Sequence, residues 1–285
     1  KGEVILNKTQ NILTFKPKTQ KIPTLENNPR AKSLREIRTY LDKSNYEEFG
    51  RTITVIIPKS VRTIEKNAFK NTCVTEVIFA KQCNLSEIGV EAFHSSLLEK
   101  INLEDCLFKP RGRGQGWAYV ANGCFEDTQL TQITIPSGVK SIHSNAFRNC
   151  AKLQHVIFLP KSKLTKMDPC FTGTIINEID LSTTQIVTIH SLSFPETLVN
   201  IKLPNTLTEL GEAAFQNCQL LTKVEIPFVR EIKPLAFDGC NSLTELILGQ
   251  NLINVAGQIR GNPVQQDVLE VFSKQGSIHK TESGA

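Results

Sequence analysis

The chain has 285 residues, of which 40% are hydrophobic and 21% are charged, and its formal net charge at pH 7 is +5. This composition is typical of a globular protein, and no run of about 18 apolar residues is present, so the sequence predicts no membrane span. The chain begins at Lys1 without a recognisable signal peptide, which indicates a mature form or an excised domain and leaves the compartment open.

Residues 1–48 do not follow the pattern of the rest of the chain. Two apolar runs flank a polar turn between Leu6 and Ile12 and predict a β-hairpin. Ser33 then opens a candidate short helix that has Leu41 on its apolar face. We expect this region to form an N-terminal cap, because the first coil of a repeat structure otherwise exposes an unpaired strand edge.

Positive charge is concentrated in the first 50 residues, where ten Lys and Arg face six Asp and Glu, a balance of +4. The remainder of the chain has a balance of 5 − 4 = +1. A basic arm could contact nucleic acid or anionic lipid. We favour a solvated cap surface and predict no nucleic-acid partner, because no aromatic interleaving or binding motif accompanies the charge.

From residue 49 the chain repeats one unit, whose clearest copy is residues 133–158. That copy has a short apolar strand, a stop at Pro136 and the pair Ala146-Phe147. One phenylalanine marks each copy, and the marker residues are Phe69, Phe93, Phe125, Phe147, Phe171, Phe194, Phe215 and Phe237. Their successive spacings are 24, 32, 22, 24, 23, 21 and 22 residues. A period in the low twenties with one strand per period predicts a solenoid.

Each repeat has a constant half and a variable half. The interval from a marker phenylalanine to the end of the next strand is nearly constant, whereas the return half absorbs the differences in length. Paired strands resist insertions and loops accept them, so the constant half is predicted to form the strand ladder. Apolar residues two positions apart, such as Val156 and Phe158, predict that one face of each strand points into the coil.

The most regular copies share the phrase I-P-x-x-V-x-x-I-x-x-x-A-F-x-x-C-x-x-L. They begin at Ile57-Pro58, Ile135-Pro136, Leu203-Pro204 and Ile226-Pro227. This phrase resembles the BspA-like leucine-rich repeat of bacterial and some protozoan surface proteins, and the resemblance covers residues 49–255 in about eight copies. Cys124, Cys170 and Ser193 depart from it, since alanine usually precedes the marker phenylalanine.

The resemblance implies a leucine-rich repeat solenoid with a single curved parallel β-sheet on one side. The return side is expected to be irregular, with loops and short turns, and the solenoid to be capped at both ends. The functions of the family are diverse and mostly concern binding.

An insertion at residues 104–119 explains the longest interval between marker residues. It contains the single tryptophan, Trp117, and alternating glycines next to Arg111 and Arg113. No G-K-[ST] follows and no helix opens there, so the glycines do not indicate a phosphate-binding loop. Arginine and tryptophan are common interface anchors. Two interpretations stay open: the loop presents Trp117 to a partner, or Trp117 packs on the coil and holds the loop in place.

Residues 256–285 leave the repeat pattern again. Asn262-Pro263 opens an amphipathic pattern that ends at Gly276, which predicts a C-terminal cap helix, and the residues after Ser277 are predicted to be a tail.

Cysteine and histidine placement argues against disulfides, metals and catalysis. Most of the eight cysteines occur in phase with the marker phenylalanines and are predicted to be buried free thiols. Cys218 and Cys240 of neighbouring coils would lie about 5 Å apart, but their parallel side chains favour thiols over a bridge. No C-x-x-C, nucleophile elbow, paired carboxylates or phosphate loop is present. The sequence therefore predicts no metal site, no cofactor and no enzyme activity.

The residue before the last apolar position of each strand should point to the open face of the sheet. This column is apolar in three strands near its N-terminal end and charged from Asp180 to Glu225. Unburied isoleucines on a regular ladder indicate a contact surface, although strand propensity alone would also favour them. The candidate ligand-binding residues are Ile56, Ile78, His155 and Ile157 of the face and Arg111, Arg113 and Trp117 of the insertion.

These observations favour a non-enzymatic, adhesin-like binding protein, at the cell surface or secreted, that recognises a protein or a glycan. BspA-like relatives include adhesins that engage host matrix proteins, so the resemblance implies host extracellular matrix as a class of ligand. The alternative is a structural spacer or scaffold domain of a longer multidomain protein. A binding protein should lose its ligand when the open face is mutated, whereas a spacer should tolerate the same changes.

Overall fold

The structure is a computed structural model that describes residues 4–7, 12–15, 21–22, 41–43, 53–83, 85–106, 108, 119–191 and 193–255. The predicted C-terminal cap helix and most of the predicted N-terminal helix lie outside these residues, so the division into cap, solenoid and cap stays a prediction. Among the residues described, no helix is long and apolar enough to cross a bilayer.

The described residues contain 21 strands, numbered β1 to β21 along the chain. They form two ladders, of which the long one is divided into four hydrogen-bonded sheets and the short one into two. The long ladder consists of β1 (Val4–Asn7), β2 (Ile12–Phe15), β4 (Ile53–Ile57), β6 (Val74–Phe79), β8 (Lys100–Ile101), β10 (Gln132–Ile135), β12 (His155–Phe158), β14 (Glu178–Asp180), β16 (Asn200–Lys202), β18 (Lys223–Ile226) and β20 (Glu245–Leu248). The short ladder consists of β3 (Lys21–Ile22), β5 (Thr63–Ile64), β7 (Glu87–Ile88), β9 (Tyr119–Val120), β11 (Ser141–Ile142), β13 (Lys166–Met167), β15 (Thr188–Ile189), β17 (Glu209–Leu210), β19 (Glu231–Ile232) and β21 (Asn254–Val255).

The long ladder has the predicted one strand per copy, and from β4 onward its paired strands are parallel. In β10 and β12, Ile133 pairs with Val156 and Ile135 with Phe158, and these four side chains are buried. The residues between them are exposed or half-buried. The two-residue period of a pleated strand thus separates core positions from the open face, as the sequence predicts. The predicted leucine-rich repeat solenoid is confirmed.

The N-terminal segments that the structure describes extend this ladder and cover the first coil. β2 pairs in parallel with β4, and β1 pairs antiparallel with β2 at the outer edge of the sheet. Leu41 is fully buried, and its carbonyl oxygen accepts a hydrogen bond of 2.7 Å from the Cys73 amide. The Lys43 amide donates to the Asn71 carbonyl at 3.1 Å. These contacts shield one edge of the first turn from solvent.

The return side differs from the prediction of a single sheet with irregular loops. It carries the short ladder, in which two-residue strands pair in parallel from coil to coil: Ile64 with Ile88, Ile88 with Val120, and Val120 with Ile142. All four of these side chains are fully buried. A two-residue strand has only one inward side chain, so it is too short to produce a recognisable alternation in the sequence. The core therefore lies between two parallel ladders.

A third column of contacts, the marker phenylalanines, closes the core at the turn. All eight are buried, as predicted, and six of the seven pairs of neighbouring rings are stacked. The ring centroids lie 5.1 Å apart for Phe69–Phe93, 5.5 Å for Phe93–Phe125, Phe125–Phe147 and Phe147–Phe171, 4.9 Å for Phe194–Phe215 and 5.4 Å for Phe215–Phe237. The interplanar angles do not exceed 13°, so the rings are close to parallel.

The stack is not continuous, contrary to the prediction. The rings of Phe171 and Phe194, both within the described residues, make no stacking contact, and the short ladder is divided at the same place, between β13 and β15. In regular turns the residue after the marker donates its amide three residues back, as His94 does to Glu91. Pro195 follows Phe194 and has no N–H, so this hydrogen bond is lost where the stack is interrupted.

Each regular turn also requires two residues with positive φ, two positions before and two positions after the marker phenylalanine. Asn145 (φ 59°) and Asn149 (φ 55°) flank Phe147 in this way. Asparagine and glycine tolerate the left-handed conformation well. Leu235 occupies the first of these positions with φ 61° and is 45% exposed. A leucine in this conformation is strained, and its exposed side chain gains too little packing energy to compensate for the strain.

We expect Phe147→Ala to lower the free energy of unfolding by about 3–5 kcal/mol, because it removes a buried ring that stacks on two neighbours. The matched control is Phe228→Ala, since Phe228 is 43% exposed, and it should change stability by about 0.5 kcal/mol or less. Urea denaturation followed by circular dichroism would measure both. Equal effects of the two substitutions would contradict the buried stack.

We expect Leu235→Asn to stabilise the protein by about 0.5–1 kcal/mol, because asparagine relieves the cost of a positive φ. The reciprocal change, Asn145→Leu, should destabilise it by a similar amount. Thermal denaturation of the two variants beside the wild type would test this. A loss of stability in Leu235→Asn would show that packing of the leucine side chain outweighs the backbone strain.

Candidate functional site

The open face of the long ladder brings some of the predicted binding residues together and separates others. Ile56 and Ile78 are direct neighbours in the β4–β6 pairing, and Ile78 is 44% exposed while Ile56 is half-buried. Ile157 is 48% exposed and is paired with Thr134. Asn102 and Thr134 occupy the two coils between Ile78 and Ile157. The three isoleucines therefore form an adjacent pair and a separate third residue, not one continuous stripe.

His155 lies two residues before Ile157 on β12, so its side chain belongs to the same face and is exposed. Its neighbour in the β10–β12 pairing is Gln132, which is also exposed. The imidazole ring is therefore exposed beside Ile157, and Gln132 lies next to it on the strand of the preceding coil.

The start of the insertion lies at the rim of this face, as the sequence order predicts. The Glu104 carboxylate accepts a hydrogen bond of 3.3 Å from the Thr134 hydroxyl group, and the Glu104 amide donates to the Asn102 side chain at 2.9 Å. Cys106 and Phe108 then turn inward and are buried. The predicted anchors Arg111, Arg113 and Trp117 lie outside the described residues, so their placement stays a prediction.

The C-terminal part of the open face carries charged side chains, and several of them form ion pairs with one another. The Lys223 ammonium group lies 3.0 Å from the Glu225 carboxylate and 2.9 Å from that of Glu245 in the next coil. The hydrogen bond to Glu245, and to a smaller extent the one to Glu225, raise the pKa of Lys223. Lys202 and Asp180 form a similar pair at 3.5 Å. Ion pairs of this kind need no external partner, which distinguishes this end from the apolar end.

The return side carries a groove of about 650 Å³ that the sequence did not indicate. Its lining includes Tyr119, Ala121, Asn122, Ser141, His143 and Lys166. The outward residues of β9, β11 and β13 form its walls. In the sequence, this groove is marked by Ser141-x-His143. That pattern indicates two residues on one face only if a strand lies on the return side.

Polar side chains in and beside this groove form a chain of contacts. The Tyr119 hydroxyl group donates to the Glu87 carboxylate at 3.1 Å, and the Tyr119 ring meets the His143 ring edge-on at 5.2 Å. The Glu87 carboxylate and burial of the ring raise the pKa of Tyr119, with burial as the larger cause. The ring of His143 is thereby held against one wall of the groove.

Ser141, His143 and Asp168 neighbour one another in the sequence of contacts that a Ser-His-Asp triad has, with Ser141 Oγ 3.3 Å from His143 Nε2. However, His143 Nδ1 and Asp168 Oδ2 are 3.7 Å apart, beyond hydrogen-bond distance. Asp168 is also paired with Lys166 at 3.1 Å. An activated nucleophile requires a base that a third group orients, and here the carboxylate is engaged by a lysine. We assign the three residues to a polar surface network.

One group of three potential metal ligands occurs in the part of the chain that the structure describes. The ligand atoms of His94, Glu126 and Asp127 lie within 4.8 Å of one another. His94 Nδ1 is buried without a hydrogen-bond partner and faces the Glu126 carboxylate at 3.7 Å. The Arg148 guanidinium group also lies 3.7 Å from Glu126 and adds positive charge that opposes a cation. We interpret the group as a histidine–carboxylate pair between adjacent turns.

Comparison with known proteins gives the following matches. The BspA-type leucine-rich repeat region matches in six copies over residues 39–110 and 118–244. A leucine-rich repeat protein from Bacteroides ovatus is 19% identical over 92% of this chain and 79% of its own, with a TM-score of 0.46. A leucine-rich repeat protein of T. pallidum is 18% identical over 96% of this chain and 92% of its own, with a TM-score of 0.39.

A leucine-rich cell surface protein from Faecalibacterium prausnitzii is 19% identical over 93% of this chain and 94% of its own, with a TM-score of 0.27. No curated protein matches the chain. The match to the repeat covers more than half of the chain. The chain belongs to the BspA-type leucine-rich repeat family.

Proposed function

We propose that this chain is a non-enzymatic binding module that recognises a protein or a glycan through the apolar end of its open face and its insertion loop. The observation that carries the proposal is the exposure of Ile78 and Ile157, 44% and 48%, at regular outward positions of the long ladder. Large apolar side chains at exposed positions favour a partner that covers them. Leucine-rich repeat domains generally mediate protein interactions, and their solenoid family is generally non-enzymatic.

Two features of the described residues support this choice of surface. The backbone under Ile78 is held by parallel pairing to the strands on both sides, so its side chain is presented without a cost in loop entropy. The insertion begins beside Thr134 on the same face. In our proposal Arg111, Arg113 and Trp117 extend the site from that rim, because arginine and tryptophan commonly supply the energy of an interface.

We further propose that the module acts at the cell surface or as a secreted, adhesin-like protein, with host extracellular matrix as one class of ligand. Family membership supports this location, since BspA-like repeats occur in surface proteins. Nucleic acid is not proposed as a partner, and no cofactor is needed for binding. The self-paired charges around Lys223 favour a second candidate, in which part of the solenoid serves as a spacer in a longer protein.

The double variant Ile78→Lys and Ile157→Lys should lower affinity at least about tenfold, because it places two charges at the centre of the proposed contact. The probes are immobilised extracellular matrix proteins and a glycan array, with surface plasmon resonance for the strongest binder. Trp117→Ala should weaken the same interaction.

The control is Val187→Lys, because Val187 is 48% exposed but lies next to β15 on the return side. It should leave affinity unchanged, and thermal denaturation should show all variants folded. Wild-type affinity in the folded double variant would exclude the open face as the site. Failure of the wild type to bind any probe would favour the spacer.

A further inference from the structure

Cys83 and Cys106 differ from the other cysteines in that their sulfur atoms are in direct contact. They are 23 positions apart and lie in the turns that follow β6 and β8, two neighbouring strands of the long ladder. Both side chains are buried, and the two Sγ atoms are 2.7 Å apart. The pair thus joins one coil to the next at the place where the insertion begins.

The equivalent turns of later coils show that a cysteine is not needed here for folding. Ser162 and Thr184 each precede a buried apolar residue by two positions, as Cys83 and Cys106 do. Their hydroxyl groups bond to the backbone of the same turn, at 3.2 Å for Ser162 and 2.7 Å for Thr184. In the two consecutive coils with cysteine, the side chains instead meet each other.

In another pair of adjacent coils the cysteine thiols are directed away from each other. Cys218 and Cys240 were the neighbours for which strand spacing allowed a bridge, but the Cys218 thiol points to the Pro195 carbonyl at 3.8 Å. The Cys240 thiol donates to the Phe215 carbonyl at 3.1 Å. Proximity of coils alone therefore does not bring sulfur atoms together, and the contact between Cys83 and Cys106 is specific to this turn.

The ionisation of the pair also differs from that of the core thiols. Burial raises the pKa of Cys124 and Cys170 well above the ordinary value, which makes these thiols unreactive. The hydrogen bond with Cys106 lowers the pKa of Cys83, whereas the hydrogen bond with Cys83 and burial raise the pKa of Cys106. A thiol of lowered pKa next to a second thiol favours thiol–disulfide exchange, because the thiolate is the attacking species.

We propose that Cys83 and Cys106 form a disulfide bond that cross-links two adjacent coils at the base of the insertion. The oxidant is a small-molecule disulfide of the glutathione class. The Cys83 thiolate attacks one sulfur of this disulfide and releases the first small thiol. Cys106 then loses its proton and attacks the Cys83 sulfur of the mixed disulfide, which releases the second small thiol. Two protein thiols are oxidised and one small disulfide is reduced to two thiols.

The covalent bond requires only a small movement. A disulfide has an S–S length of about 2.05 Å, so the two sulfur atoms must approach by about 0.7 Å from their present 2.7 Å. The pairing of Glu76 with Lys100 and of Val77 with Ile101 fixes the two coils in register just before the turns. Because both thiols are buried, the exchange takes place during folding or local opening, when a small disulfide can reach Cys83.

The test compares wild-type protein refolded in a buffer of oxidised and reduced glutathione with protein refolded in excess reductant. Alkylation in denaturant should count 8 − 2 = 6 thiols in the first sample and eight in the second. Peptide mapping by mass spectrometry should find one cross-linked peptide, which joins Cys83 to Cys106. The bridge closes a loop of intermediate length and should raise Tm by about 5–10 °C, and reductant should reverse the rise.

Three single variants give the controls. Neither Cys83→Ser nor Cys106→Ser should yield a cross-linked peptide, and Cys106→Ser should hold Cys83 as a mixed disulfide with glutathione, whereas Cys240→Ser should still lose two thiols to the bridge. The proposal is overturned if all eight wild-type thiols react after refolding in the glutathione buffer, or if the cross-linked peptide joins other cysteines. Peptide mapping of the wild type decides the question even where a serine variant fails to fold.

Discussion

In-register parallel pairing places each residue about 5 Å from its counterpart in the neighbouring coil. A side chain at a core position must therefore pack against another of its own kind, and flat phenylalanine rings meet this condition by stacking at 4.9–5.5 Å. The same condition explains the asparagines at positive φ, the buried isoleucines of the short ladder and the alternating charges around Lys223. It also explains why two cysteines in consecutive coils can meet at Cys83 and Cys106.

Much of the fold could be predicted because this constraint repeats in the sequence. The marker phenylalanines and the strands that end at residues such as Ile135 and Phe158 follow from their period and alternation. The short ladder could not be predicted, because a strand of two residues leaves one apolar position per coil and no pattern. Pro195 is visible in the sequence beside the interruption at Phe194, but the loss of ring stacking there could be seen only in the structure.

The candidate site was harder to predict than the fold, since function depends on where the repeats differ from one another. Alternation correctly placed Ile78, His155 and Ile157 on the outside of the long ladder. The same alternation put Asn102 and Thr134 between Ile78 and Ile157, and the strand pairing agrees with that order. The groove beside His143 was missed because its walls belong to the short ladder, and the Cys83–Cys106 contact because both residues lie in turns out of phase with the marker column.

The interruption between Phe171 and Phe194 has a consequence for how the molecule responds to stress. In a repeat protein, stability passes from coil to coil through neighbour contacts, so the weakest interface sets the limit of cooperativity. The stack from Phe69 to Phe171 and the stack from Phe194 to Phe237 are joined without ring stacking and without a continuous short ladder. Under a pulling force or partial heating, we expect each stack to behave as its own foldon, with the β14–β16 pairing as the main link that holds the two together.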